Sequence, residues 1–258
     1  MIFRLLVFII LISLEIGANF IYAQSFSHLI GVMVEFPFEE EDDPLTTGRG
    51  TFLDSTTAQY SISDNLLCNG FLADKPPHNA DYFASQMLAV KNYYDSFVNE
   101  DQSFEIHMID SVYTISKPMR EYALGDSYLG EFYKESIELS KEQIQDLSIG
   151  LNDAIIVVFH AGMGQDFAVP FIDPTSHDLK SAYVDEEILI NVDPILINDI
   201  EINRGIILPE TQNMIYYDVV QDIFSGTNDL CDIQVGLTGT FALLLGYAYD
   251  LPPLFNTE

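Results

Sequence analysis

The sequence predicts an α/β (α+β) fold, a mixed sheet with helices packed on it, and three patterns carry that prediction. Ala154-Ile-Ile-Val-Val-Phe159 is a nearly continuous apolar run, as expected for a strand covered on both faces. Phe83, Met87, Val90, Tyr94 and Phe97 recur at helical spacing. Phe104, Ile106 and Met108 alternate with Glu105 and His107, the signature of a half-buried strand. The two kinds of pattern intermix along the chain, with no internal repeat and no change of composition, so residues 24–258 are expected to form one domain.

Taken in order, the chain opens on an export signal. Arg4 supplies the positive region, Leu5 to Leu14 the short apolar core, and Ile21-Tyr22-Ala23 a cleavage site before Gln24. Residues 1–23 are thus expected to be a signal peptide, and the product secreted, periplasmic or at the cell surface. An uncleaved anchor is disfavoured by Glu15 and the short apolar core. Leu29 to Phe36 reads as a core strand ending at Pro37. Glu39-Glu-Glu-Asp-Asp-Pro44 offers hard oxygen ligands, yet lacks the spaced pattern of a calcium loop, so a solvated acidic loop is expected. Residues 45–78 have few periodic apolar positions and read as a long loop or short hairpins.

Asn79 is a good N-cap for the helix carrying the 83–97 stripe, with Asp81 in its first turn. Val112-Tyr-Thr-Ile115 is read as a strand separate from 104–108. Gly130 to Leu147 returns to helix, with Phe132, Ile137, Ile144 and Leu147 inward. Asp173 to Asn203 reads as polar loops around Ile188-Leu-Ile190. Leu208-Pro209-Glu210-Thr211 is read as the lead-in to a helix through Tyr217 and Val220 to Phe224. The final Gly236 to Phe255 is apolar and helical. Its length, its glycines and the absence of basic flanks disfavour a membrane span, so none is expected after signal cleavage.

The bulk numbers narrow the partners. Of 258 residues 48% are apolar, enough for a substantial core. Forty acidic against 10 basic side chains give a formal charge of −30. Such a chain cannot neutralise phosphates, which argues against nucleic acid, and it is repelled by anionic membranes. Cys68 and Cys231 are either a disulfide or two separate buried thiols; an oxidising compartment favours the pair.

Several motifs invite chemistry and fail on their surroundings. Gly125-Asp126-Ser127-Tyr128-Leu129 is similar to the nucleophile block of a family of serine esterases. No core strand precedes it, the Gly-x-Ser-x-Gly elbow is absent, and the last histidine is His177, too early for a C-terminal Asp-x-x-His. Gly162 and Gly164 after the buried strand lack the remaining residues of a dinucleotide or P-loop motif. His160 with Asp166, Asp173 or His177 has no metal-ligand spacing, and a lone histidine at a strand end is more often hydrogen-bonded structure.

Four blocks together resemble the immune inhibitor A-like (M6) family of secreted metallopeptidases. They are Gly31-Val-Met-Val-Glu-Phe-Pro37, the helix with Ser85 to Tyr94, the strand and turn Ile155 to Gly164, and Gly239 to Phe255, in the family's order. The resemblance implies a zincin-like fold and a His-Glu-x-x-His helix followed by x-x-Gly-x-x-Asp. Two histidines one turn apart and the aspartate would hold zinc, and the glutamate would activate water. Laid on without gaps from Gly239-Thr-Phe-Ala242, the pattern puts the first histidine on Leu243, the glutamate on Leu244 and the second histidine on Tyr247. The turn glycine falls on Asp250 and the third ligand on Pro253.

Every ligand and the general base are therefore replaced. The expectation is an exported M6-like domain without zinc or peptidase activity, retained as a peptide- or protein-binding or structural module. No catalytic, cofactor or metal residue is expected beyond these degenerate positions. The alternatives are an active secreted zinc endopeptidase with ligands elsewhere or beyond Glu258, and a structural cell-surface module. Because the family's domain continues past this motif, the C-terminal subdomain is expected to be missing from the chain as it stands.

Overall fold

The structure, a computed structural model, describes residues 26–41, 43–54, 74, 76–97, 103–167, 175–212 and 236–252. Its centre is a five-stranded mixed sheet. The strands are β1 (His28–Glu35), β2 (Glu105–Thr114), β3 (Ala154–Met163), β4 (Ala182–Val184) and β7 (Gly205–Thr211), in the order β2-β1-β3-β7-β4. The first four in that order run parallel, and β4 closes the sheet antiparallel to β7. A small hairpin, β5 (Leu196–Ile197) with β6 (Ile200–Glu201), stands apart from it. The α/β class read from the sequence is the class observed.

Helices cover both faces. On one, α1 (Ala80–Asp95) and α4 (Leu237–Ala248) pack against Leu29, Met33, Ile155, Val157, Phe159, Ile206 and Leu208. On the other, α2 (Met119–Tyr122), α3 (Asp126–Asp146) and the hairpin cover Ile30, Val32, Val34, Ile156, Val158 and Ile207. Odd and even residues of one strand thus serve two separate cores, which is why β3 has no polar face to show: all ten of its residues are buried.

The helix assignments rest on local chemistry. Asn79 caps α1, its Oδ1 accepting the Tyr82 N–H at 3.1 Å. Phe83, Met87, Val90 and Tyr94 are buried along it as the spacing predicts, whereas Phe97, past the helix end, is 73% exposed. In α3 the buried stripe includes Phe132, Tyr133, Ile137 and Ile144. Ser136 and Ser140 are buried within it, each hydroxyl donating to a carbonyl one turn back.

Two glycines leave room for side chains packed over the sheet. A Cβ on Gly205 would lie 1.9 Å from the Tyr133 hydroxyl and 2.7 Å from the Ile156 carbonyl oxygen. That room lets the buried Tyr133 hydroxyl reach the carbonyls of Arg204 (3.1 Å) and Ile156 (3.3 Å), tying α3 to the sheet. Gly31 similarly leaves space for Met87 and Met108 to meet over β1.

Three sequence readings change. The segments 104–108 and 112–115 belong to one strand, β2, whose register against β1 slips between Gly31 and Met33 as Gly31 pairs Met108 and Met33 pairs Val112. The extra residues of β2 form a bulge at Asp110-Ser111, and those polar residues made one strand look like two. Leu208 to Thr211 forms the end of strand β7. Ile188-Leu189-Ile190 lies in a turn, and the strands of that region are β4, β5 and β6. The expected helix over 217–224, the signal segment 1–23, Cys68 and Cys231 lie outside the described residues. Among the described residues no helix is long and apolar enough to cross a membrane.

Candidate functional site

Helix α4 carries the positions singled out from the sequence, and neighbouring segments fix how it sits. Its first amide, Leu237 N–H, donates to Asp74 Oδ2 at 2.6 Å. Gln86 on α1 bridges Asp74 Oδ1 (3.1 Å) and the Thr238 hydroxyl, and Thr240 Oγ1 donates to Gln212 Oε1 at 3.1 Å. Burial raises the Asp74 pKa above the ordinary carboxylate value, opposed by the Leu237 and Gln86 hydrogen bonds. Asp74 does for α4 what an N-cap side chain does, from a segment distant in sequence.

The apolar side chains then decide which face turns inward. Leu237, Phe241 and Leu245 are fully buried, with Phe241 edge-on to Phe159 at 5.8 Å between ring centroids. Burial of each such side chain is worth about 1.5–3 kcal/mol. Leu244 is also buried, while Leu243 and Tyr247 are half-buried. The Tyr247 ring lies 5.9 Å from that of Tyr183 on β4. Pro253 lies outside the described residues.

Between α1 and α4 runs a groove of about 510 Å³, lined chiefly by Tyr93, Tyr94, Leu243, Tyr247, Leu251 and Pro252, with Gly239, Ala242 and Gly246 as its floor. Gly246 eases the approach of the helices, since a Cβ there would stand 3.0 Å from the Tyr94 hydroxyl, which would have to give way. That hydroxyl donates to the Ala242 carbonyl at 2.7 Å. Burial, with Tyr93 adding to it, pushes the Tyr94 pKa up to about 12, so the phenol remains a neutral donor. A Cβ on Gly239, by contrast, would meet nothing within 4 Å.

The donor set does not fit the zinc that the M6 resemblance implies. Leu237-Thr-Gly-Thr-Phe-Ala-Leu-Leu-Leu-Gly-Tyr-Ala248 contains no His, Cys, Asp or Glu. One phenol and two threonine hydroxyls cannot replace the imidazole and carboxylate ligands zinc takes. What the groove offers is apolar and aromatic surface with a few hydroxyls.

Comparison of the chain with protein-family models, curated proteins and solved structures gives no match. The reading of α4 therefore stands on its own residues.

The other sequence candidates separate in space. His160 is fully buried in β3, packed edge-on against Phe36 and Phe132, with Nδ1 2.9 Å from the Ala161 carbonyl oxygen. Because a carbonyl only accepts, Nδ1 carries the proton, and the buried Nε2 has no hydrogen-bond partner among the described residues. Asp166 accepts from the Ser181 amide and hydroxyl at 2.9 and 2.6 Å and from Gln212 at 2.5 Å. His160, Asp166 and His177 do not converge as ligands, and Asp173 is outside the described residues. Ser127 stands exposed in the first turn of α3 rather than at a strand end. In the acidic loop, Asp43 pairs with Arg120 at 3.0 Å.

A buried carboxylate with long-range partners went unnoticed in the sequence. Glu210, at the end of β7, is 1% exposed. Its Oε1 accepts the Gly162 N–H (3.0 Å), and its Oε2 accepts the Leu53 N–H (2.9 Å) and faces His78 Nδ1 (3.0 Å). The other His78 nitrogen faces the Asp74 carbonyl at 2.8 Å. The imidazole thus lies between two acceptors, the Glu210 carboxylate and the Asp74 carbonyl. These bonds lock together the 43–54 segment, the end of β3 and the entry to α1. Glu210 is the clamp of the fold's upper end.

Proposed function

We propose that the chain is an exported, zincin-like domain of the M6 type in which α4 has lost zinc binding and peptidase activity, and that its groove binds peptide or protein segments. The reading rests on the resemblance of Gly239 to Phe255 to the family's metal helix, in which Leu243, Leu244 and Tyr247 fall on the working positions. Two arrangements support it. The helix follows the last parallel strand and lies against both β7 and the antiparallel edge strand β4. Leu244, in the position of the general base, packs into the core as an ionised glutamate could not without a partner.

The groove's lining favours an apolar or aromatic anchor residue, and the chain's charge of −30 favours neutral or basic flanks. The test is selection from a random peptide library on the immobilised full chain, followed by affinity measurement on Gly239→Leu. That substitution fills the groove at a point where an added Cβ meets nothing within 4 Å. Enriched peptides should share an aromatic or aliphatic anchor with neutral or basic neighbours. Gly239→Leu should weaken them about tenfold, the ~1.4 kcal/mol of one excluded anchor contact, with an unchanged melting temperature. Equal affinity for the variant, or no enriched peptide, would leave the domain a structural module.

A further inference from the structure

We propose that His28, Glu105 and His107 form a binding site for one divalent transition-metal ion of the zinc type, open at a fourth position. The site rests on residues of β1 and β2 and does not depend on the reading of α4. Among the described residues these are the one group of three His, Cys, Asp or Glu side chains whose ligand atoms converge, all within 4.8 Å of one another.

The sheet register builds the group. Strands β1 and β2 are parallel neighbours, with His28 opposite Glu105 and Ile30 opposite His107. Residues 105 and 107 lie two apart and so project to the same side. By the alternation that sends Leu29 and Ile106 to the α1/α4 side, the three side chains project to the α3 side, across the sheet from α4. The backbone beneath is tied in place, as Glu105 N–H donates to the Ser27 carbonyl at 2.9 Å and Ser27 N–H to that of Asp153 at 2.7 Å. The frame is set before any ion arrives.

The distances suit a metal. His28 Nδ1 and His107 Nε2 are 3.2 Å apart. Two imidazole nitrogens bound to one tetrahedral zinc stand about 3.3 Å apart, given Zn–N bonds of about 2.0–2.1 Å. Glu105 Oε2 is 3.8 Å from each nitrogen, on a side chain that is 75% exposed and free to close the remaining few tenths of an ångström. The imidazoles are 19% and 21% exposed, shielded enough to exclude bulk water and open enough for an ion to enter. Two histidines and one carboxylate are a ligand set zinc accepts, and the chain's charge of −30 concentrates cations around it. Without an ion the two rings can share only one hydrogen bond, leaving the carboxylate 3.8 Å from either nitrogen.

The ion would fasten the first residues of β1 to the first of β2, a sheet-edge strand separated from β1 in sequence by the whole segment 36–104. Tag-free full chain, stripped with chelator, should bind one equivalent of zinc in a calorimetric titration. Cobalt(II) in its place should give the visible absorption of a tetrahedral site. Glu105→Gln, at an exposed position, should weaken zinc at least about tenfold, and His107→Ala should abolish the cobalt spectrum. Tyr247→Phe should change neither. Both site variants should keep the melting temperature of the metal-free protein, while zinc raises that of the parent more than that of Glu105→Gln and leaves His107→Ala unchanged. Absence of stoichiometric binding, or equal affinity in parent and Glu105→Gln, would overturn the proposal. Binding lost in Tyr247→Phe but kept in His107→Ala would overturn it too, and would instead contradict the reading of α4.

Discussion

Replacing Glu210 by alanine is expected to destabilise the domain by about 2–6 kcal/mol, the cost of leaving two buried backbone donors without an acceptor. The carboxylate is 1% exposed and takes hydrogen bonds from Leu53 and Gly162 while facing His78. Alanine leaves two backbone N–H groups and an imidazole in a site that water does not reach. Each orphaned neutral donor costs about 1–3 kcal/mol. The loss falls on long-range ties, since the three partners belong to segments far from β7 in sequence. Glu210→Gln keeps the shape and one good acceptor, and should lie between the parent and the alanine variant. Urea unfolding followed by circular dichroism measures both, through the midpoint at constant slope. A loss below about 1 kcal/mol for alanine, at the scale of an ordinary surface hydrogen bond, would mean that Glu210 does not clamp these segments.

The second large effect is acid lability through His160. Burial lowers its pKa from 6.5 to about 4, only partly opposed by the bond to the Ala161 carbonyl. A protonated His160 would place an unpartnered N–H at Nε2, among Phe36 and Phe132. The unfolded chain therefore binds this proton more readily than the folded one between pH 6.5 and about 4. Stability from this group is fully present above 6.5 and is lost as the pH falls through that window, by about 3 kcal/mol at 1.36 kcal/mol per pKa unit. Asp74, Asp166 and Glu35 act in the opposite sense, because burial raises each of them and protonation relieves it. The difference between parent and His160→Leu isolates the histidine. Unfolding free energies at pH 6.5 and 4 should fall more steeply for the parent, and parallel curves would contradict the assignment.

The elements that the sequence disclosed are those whose side chains report a local environment. Ala154 to Phe159 could only be a strand covered twice, and Asn79 with the stripe at 83, 87, 90 and 94 could only be a capped amphipathic helix. Strand β7 escaped because Pro209 and Glu210 violate strand preferences. The structure accommodates both. β4 pairs only with residues 205–207, so Pro209 stands beyond its end, and the β3–β7 register shifts just after the His160–Pro209 pair. Glu210 is tolerated because its partners come from 48, 132 and 157 residues away, distances that no sequence window spans. His28, Glu105 and His107 were hidden by the same separation. Glu105 and His107 read as the polar side of an alternating strand, and only the parallel register brings His28 to them. The groove was half visible. Leu243 and Tyr247 stood out through the M6 resemblance, whereas Tyr93 was lost beside the buried stripe of α1, and its role depends on how α1 meets α4.

These observations meet in α4. Its register, its capping by Asp74 and its packing on Phe159 describe a helix held firmly at the mouth of a groove, with no His, Cys, Asp or Glu along it. The most direct test is proteolysis by the purified full-length chain, carrying His107→Ala so that zinc at β1 and β2 does not confuse the result. The protein would be incubated with unfolded casein, with zinc added and with chelator added. No cleavage is expected in either condition. Cleavage that requires zinc, stops with chelator and is lost in Tyr247→Phe would contradict it, because α4 would then be performing the reaction its residues are inferred to have lost.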